Sequence, residues 1–187
     1  MAAPGWEIMN VLALDLATNS GWALGALGDH VPAFGSIRFG ARDCSHEARF
    51  AHALQWISDF LKRHEADVLV FEEPLHFGLR RNASNAGNDE ISYGLAAIVQ
   101  AVAHLRGVYD VRQARVVDIR RFFLGDNPKR KIAKRETIGR CRALGLNVED
   151  DNQADAIALW HFQCAQLRPA LGLRTSPLFA GAASGVL

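Results

Sequence analysis

No apolar run in this chain of 187 residues approaches the ~18–20 residues that a membrane-spanning helix needs. Met1 to Glu7 contains no basic group, and the apolar stretch that follows is closed by Asp15, so no secretory leader is expected. Cysteine is scarce. Cys44, Cys141 and Cys164 are odd in number and widely spaced, which gives neither a disulfide framework nor a zinc-ligand pattern. These absences predict a cytoplasmic protein in a reducing setting, with no membrane partner. Internal repeats are also missing. Residues 168–187, rich in Gly, Ala, Pro and Ser, read as a poorly ordered tail, leaving residues 1–167 as one domain. The whole chain is 49% hydrophobic and 22% charged, enough apolar material for a real core.

Net charge is only +1, but it is unevenly spread. Between Arg106 and Arg142 twelve Lys and Arg stand against four Asp and Glu, so this stretch is strongly cationic and the rest of the chain cancels it. A concentrated basic region points to a polyanionic partner, where the plainer reading is a solvated charged face.

Ile8 to Asp15 is nearly continuous apolar sequence ending in an acid, the pattern of a buried central strand. Thr18-Asn19-Ser20-Gly21 reads as a turn, and Trp22 to Leu27 and Val31 to Phe39 as two more strands around Gly28-Asp29. Ser45 offers a helix cap, followed by Phe50, Leu54, Ile57 and Leu61 at helical spacing. Asp67 to Glu72 is another short apolar strand ending in an acid, and Pro74 to Asn88 reads as a long surface loop. A helix is expected from Asp89 to Leu105, closed by Gly107, then a strand from Val108 to Val117. A further helix spans Lys131 to Leu144, closed by Gly145, and a last one, capped by Asp151 or Asn152, runs to about Gln166. The order βββ-α-β-α-β-α-α implies an α/β fold, a mixed sheet with helices on its faces.

Two of the apolar strands, Leu12-Ala13-Leu14-Asp15 and Leu69-Val70-Phe71-Glu72, end in carboxylates. Side by side in a sheet, they bring Asp15 and Glu72 together where α/β folds place their ligands. Asp155 joins them from the first turn of the last helix, with Asp151 four residues earlier on the same helix face. Carboxylates that converge repel unless cations neutralise them, and hard oxygen donors suit Mg²⁺ or Mn²⁺. Two such ions can activate water and stabilise the leaving oxygen of a phosphodiester. Each acid has a plainer reading beside this one: a turn former after a strand for Asp15, a helix cap for Asp151. Glu73 is expected to face away from Glu72, and His161 and Cys164 to be core or helix-surface residues.

The order of these motifs resembles the RuvC-type Holliday junction resolvases, especially their short phage and prophage branch, over roughly residues 8 to 165. The matching segments are LALDLATNSGWAL, VLVFEEPL and KRKIAKRETIGRCRALGLNVEDDNQADAIALW, the last being the most specific. The resemblance implies an RNase H-like fold with a five-stranded mixed sheet flanked by helices on both faces. It also implies a Mg²⁺- or Mn²⁺-dependent homodimer, with two ions per site, that hydrolyses branched DNA. Asp15, Glu72 and Asp155 fall on metal-binding positions, with Asp15 bridging the ions. Cellular members of the family often carry an acid or His three residues before the last Asp, where this chain has Asn152. Either Asp151 supplies the fourth ligand or Asn152 does so through its carbonyl oxygen, and Asp151 is the choice made here. Lys134 resembles the basic residue at the rim of the site, while Lys131, Arg120 and Arg121 would hold phosphates. Phe77, beside Arg80 and Arg81, is placed to stack on opened bases or else to anchor its loop on the core. The homodimer would use the helix Ile91 to Leu105, whose Gly94, Ala96, Ala97, Ala101 and Ala103 permit close approach. Two rivals stay open: another RNase H-like nuclease acting on flaps or RNA–DNA hybrids, and a branched-DNA-binding protein of this fold with little turnover.

Overall fold

The structure, a computed structural model, describes residues 9–74 and 86–170, the side chains of 86–89 excepted. Phe77, Arg80, Arg81 and most of the expected 74–88 loop lie outside the described residues, as do residues 171–187. The elements are β1 (Asn10–Asp15), β2 (Asn19–Ala26), β3 (Ala33–Arg38), α1 (His46–Arg63), β4 (Val68–Glu72), α2 (Ala86–Leu105), β5 (Asp110–Ala114), α3 (Val116–Leu124), α4 (Arg130–Ala143) and α5 (Asp151–Leu167). Among the described residues no helix is long and apolar enough to cross a membrane.

The five strands form one mixed sheet in the order β3-β2-β1-β4-β5. β1, β2 and β3 are an antiparallel meander, whereas β4 and β5 run parallel to β1. The strands β1 and β4 are central because both of their faces are apolar. Val11, Ala13, Val68 and Val70 pack with Phe123, Cys141, Ile157 and Trp160 of α3, α4 and α5. On the opposite face Leu12, Leu14, Leu69 and Phe71 pack with Ile57, Phe60, Val99 and Val102 of α1 and α2. Helices thus cover both faces of the sheet, as expected.

Several boundaries differ from the sequence reading. Asn19, Ser20 and Gly21 belong to β2 rather than to a turn. The expected strand Val108 to Val117 is shorter, and Val116 already begins α3, a helix that sequence reasoning missed; the order is therefore βββ-α-β-α-β-α-α-α. Two β-branched residues at its start read as continued strand, and Arg115 at the cap position makes no side-chain cap bond. What stabilises α3 is tertiary: Ile119 and Phe123, four residues apart, are buried, and Gly125 closes the helix with φ 83°. α2 begins at Ala86, ahead of Asp89. The cap of α5 is Asp150, not Asp151 or Asn152; its side chain accepts from the Gln153 N–H at 2.8 Å.

The small residues of α2 are partly spent within the chain. Gly94 lies against the Phe50 ring of α1, and Ala96 and Ala103 are buried, whereas Ala97 and Ala101 face solvent.

α5 crosses the sheet face over β1 and β2 and is fixed there at three points. The buried Trp160 indole donates to the Val11 carbonyl at 3.1 Å. Gln153 reaches Ser36 of β3 at 3.5 Å. At Gly21 the missing side chain lets the first turn of α5 lie directly on β2, since a methyl group there would overlap the Asn152 carbonyl and come within 3.1 Å of Ala156 Cβ. The clash is with backbone and cannot be relieved by a rotamer change. Gly21→Ala is expected to cost about 1–3 kcal/mol of stability in a urea melt, by levering the helix start off the sheet. An unchanged midpoint would mean that the contact is not close.

Candidate metal centre

The register that joins β1 to β4 pairs Leu14 with Phe71, so Asp15 and Glu72 follow side by side at the same end of the sheet. Strand alternation then decides their direction. Val11 and Ala13, like Val68 and Val70, face α3–α5, and the next residues of the same parity are Asp15 and Glu72. The chain leaving Asp15 is held in a tight turn by Ser20, whose buried hydroxyl accepts from the Ala17 N–H at 3.0 Å and donates to the Ala17 carbonyl at 2.8 Å. α5, seated on Gly21, brings Asp155 over the same strand ends.

Asp15, Glu72 and Asp155 line one cleft. Its wall is built by Val116, Ile119, Arg120, Phe123 and Leu124 of α3, by Thr137 of α4, and by Ala158 and Leu159 of α5. The helix missed in the sequence is therefore the element that walls the acids. Its only sequence signal is the Ile119–Phe123 spacing ahead of Gly125.

The three carboxyl groups keep some solvent contact but are packed round by protein, and they disfavour one another's charge. Burial raises the Asp15 pKa well above the usual carboxylate range, with the charges of Asp155, Glu72 and Asp151 adding to it and Lys134 opposing it. Burial and then Asp155 push Glu72 up to about 7, against the pull of Arg120 and Arg130. Burial and then Asp151 push Asp155 to about 6, against Lys134, Arg120 and Arg130.

The chemistry of the donors fits a divalent cation: hard oxygens only, fixed at the ends of rigid elements, with a repulsion that a 2+ ion would relieve. The side chains face one cleft without closing on one point. Among the described residues no group of three or more His, Cys, Asp or Glu is gathered as a finished metal cage.

The remaining expected site residues spread around this centre. Asp151 is not part of the cleft lining; its carboxylate is paired with Lys134 of α4. Burial works to raise the Asp151 pKa, but the hydrogen bond and charge of Lys134 outweigh it and hold the group below its ordinary value. Arg120 is in the cleft wall, whereas Arg121 and Lys131 are exposed outside it. Arg130, not singled out from the sequence, acts on Glu72, Asp151 and Asp155. His161 and Cys164 are core, as expected: the imidazole stacks on Phe123 at 5.9 Å and burial lowers its pKa to about 4, while burial holds the Cys164 thiol up at about 12.

No family model and no curated protein matches the chain by sequence. Solved structures do match. RuvC of Thermus thermophilus in complex with a Holliday junction substrate superposes with a TM-score of 0.65 at 18% identity, covering 87% of this chain and 97% of that one. A second Thermus thermophilus RuvC structure gives 0.65 at 16%, over 87% and 98%. The yeast mitochondrial Holliday junction resolvase gives 0.59 at 10%, over 90% and 86%. The chain has the RuvC-type, RNase H-like fold.

The self-repelling cluster carries a sign. Carboxyl groups whose folded pKa lies above the unfolded one favour the fold below about pH 4, and that contribution is lost as the pH rises through 6 and 7. Asp15→Asn removes one of the charges. In EDTA at pH 8 the variant is expected to be more stable than wild type by about 1–3 kcal/mol. Mg²⁺ should then raise the melting temperature of wild type but not of the variant. A variant that melts below wild type in EDTA would contradict the electrostatic reading.

Proposed function

We propose that this chain is a metal-dependent, structure-selective endodeoxyribonuclease that resolves four-way or other branched DNA junctions by hydrolysing phosphodiester bonds. The observation that carries the reading is the meeting of Asp15, Glu72 and Asp155 in one cleft with Arg120 in its wall, on a fold shared with solved Holliday junction resolvases. Asp15, Glu72 and Asp155 would hold Mg²⁺ or Mn²⁺, two ions per site, and Asp151 would join them as the fourth carboxylate on leaving its pairing with Lys134. Bound there, the metal would activate water as nucleophile and neutralise the leaving oxygen.

The chain's own residues bind and orient the substrate. Arg120 offers a planar fork to the oxygens of the phosphate entering the cleft. Lys134 stands at the rim between Asp151 and incoming DNA, and Arg121 and Lys131 extend the basic surface along neighbouring phosphates. Phe77, with Arg80 and Arg81, takes the part of a stacking platform for bases opened at the branch. Selectivity for a junction comes from shape, since phosphate contacts carry no sequence information.

A junction has two equivalent strands to cut, which a two-fold pair of subunits matches with one site each. The surface proposed for that pairing is the outer side of α2, where Ala97, Ala101 and Leu105 are exposed, Leu105 to 81%. With Mg²⁺ the protein is expected to make paired cuts in a synthetic four-way junction, to leave linear duplex and RNA–DNA hybrid largely intact, and to do nothing in EDTA. Light scattering at assay concentration should give the mass of a dimer. A monomer that treats junction and duplex alike would replace the resolvase by a general nuclease, and preferred cutting of the hybrid would favour the RNase H-type rival.

A further inference from the structure

Among the described residues, the cations assigned so far lie on α3 and α4, to one side of the acids. The strand order leaves the other side of β1 to β2 and β3, where Asn19 pairs with Arg38. Asp15 pairs with Gly21 and Gly21 with Ser36, so these three share a level in the sheet. Arg38 is two residues beyond Ser36 and, by strand alternation, on the same sheet face as Asp15. With strands ~4.8 Å apart and ~3.3 Å per residue, its Cα stands roughly 12 Å from that of Asp15. The first turn of α5, seated on Gly21, lies between them.

Two further observations make Arg38 more than a solvated surface charge. Its side chain is exposed and has no hydrogen-bond or ion-pair partner among the described residues. Its backbone, by contrast, is tied to the loop that leaves Asp15. The next residue, Phe39, donates its N–H to the Thr18 carbonyl at 3.0 Å, and its own carbonyl accepts from Nη1 of the buried Arg49 at 2.6 Å. A cation is thus mounted rigidly on the metal centre's own loop, with its guanidinium free.

We propose that Arg38, with Asn19 beside it, is a second contact for the DNA sugar-phosphate backbone, on the opposite side of the acids from Arg120 and Lys134. The proposal rests on the nuclease reading and adds to it the path of the strand: over the β2–β3 edge, across the cleft, and on to α3 and α4. A strand held on one flank leaves the bond to be cut free to swing, and a strand held on both is positioned for in-line attack.

The test is junction binding in EDTA across a range of salt, with Arg38→Ala, Arg38→Lys and, as a control for charge alone, Arg63→Ala at the exposed end of α1. Arg38→Ala is expected to weaken binding about five- to tenfold and to lower the salt slope by about one. Arg38→Lys should keep most of the affinity, and Arg63→Ala should leave it unchanged. Uncharged methylphosphonates placed one at a time along the cut strand locate the contact. Wild type should lose affinity at a phosphate within a few nucleotides of the cut on one side, and Arg38→Ala should lose nothing further there. Equal binding by Arg38→Ala and wild type, or an equal loss in Arg63→Ala, overturns this surface and leaves the nuclease reading standing. A wild-type protein that binds no DNA overturns both.

Discussion

Asp15, Glu72 and Asp155 carry like charge into one protein-lined cleft, and much of the surrounding structure serves to keep them there against their repulsion. Two are fixed by the parallel register of β1 and β4, which cannot slip without turning every buried side chain of the central strands to the wrong face. The third depends on α5, and α5 depends on the absence of a side chain at Gly21, on the Trp160 bond to Val11 and on Gln153. Arg120, Arg130 and Lys134 soften the repulsion without abolishing it, since Glu72 and Asp155 still hold their protons to about 7 and 6. This is a local sacrifice of stability of the kind expected where function, rather than packing, dictates the residues.

The same logic separates what could be read in the chain from what could not. Asp15 and Glu72 were legible because each closes an apolar strand, and a run buried on both faces has few places in a sheet other than the centre. Asp155 and Lys134 were legible from the motif around them. α3 was not, because its start carries no capping side chain and opens with two valines; its helical state is decided by burial of Ile119 and Phe123 against α5, a tertiary effect. Arg130 was one of twelve basic residues in its stretch, and only the fold shows which of them act on the acids. The small residues of α2 do not all reach its outer side: Gly94 lies against Phe50 of α1 and Ala96 and Ala103 are buried, which leaves Ala97 and Ala101 exposed.

A consequence of the sheet order is that the acids sit between two differently built flanks. On one side the helices α3 and α4 present a dense basic surface that any polyanion would feel at long range. On the other, Arg38 is single but rigidly mounted, through Phe39, on the loop that positions Asp15. Long-range attraction and local alignment are separate tasks in nucleic-acid recognition, the first sensitive to salt and the second to geometry. Under the proposed function, the two flanks would take one task each.

The central claim is that the acidic cluster is a cation site whose protons leave when the ion binds. Calorimetric titration of Mn²⁺ into the protein near pH 6, repeated in two buffers of different ionisation heat, measures those protons directly. The account predicts release of about one or more protons per ion, declining as the pH climbs past 7, because Glu72 and Asp155 titrate near 7 and 6 and Asp15 is raised as well. Binding with no proton release near pH 6, or no binding that Asp15→Asn abolishes, would contradict it.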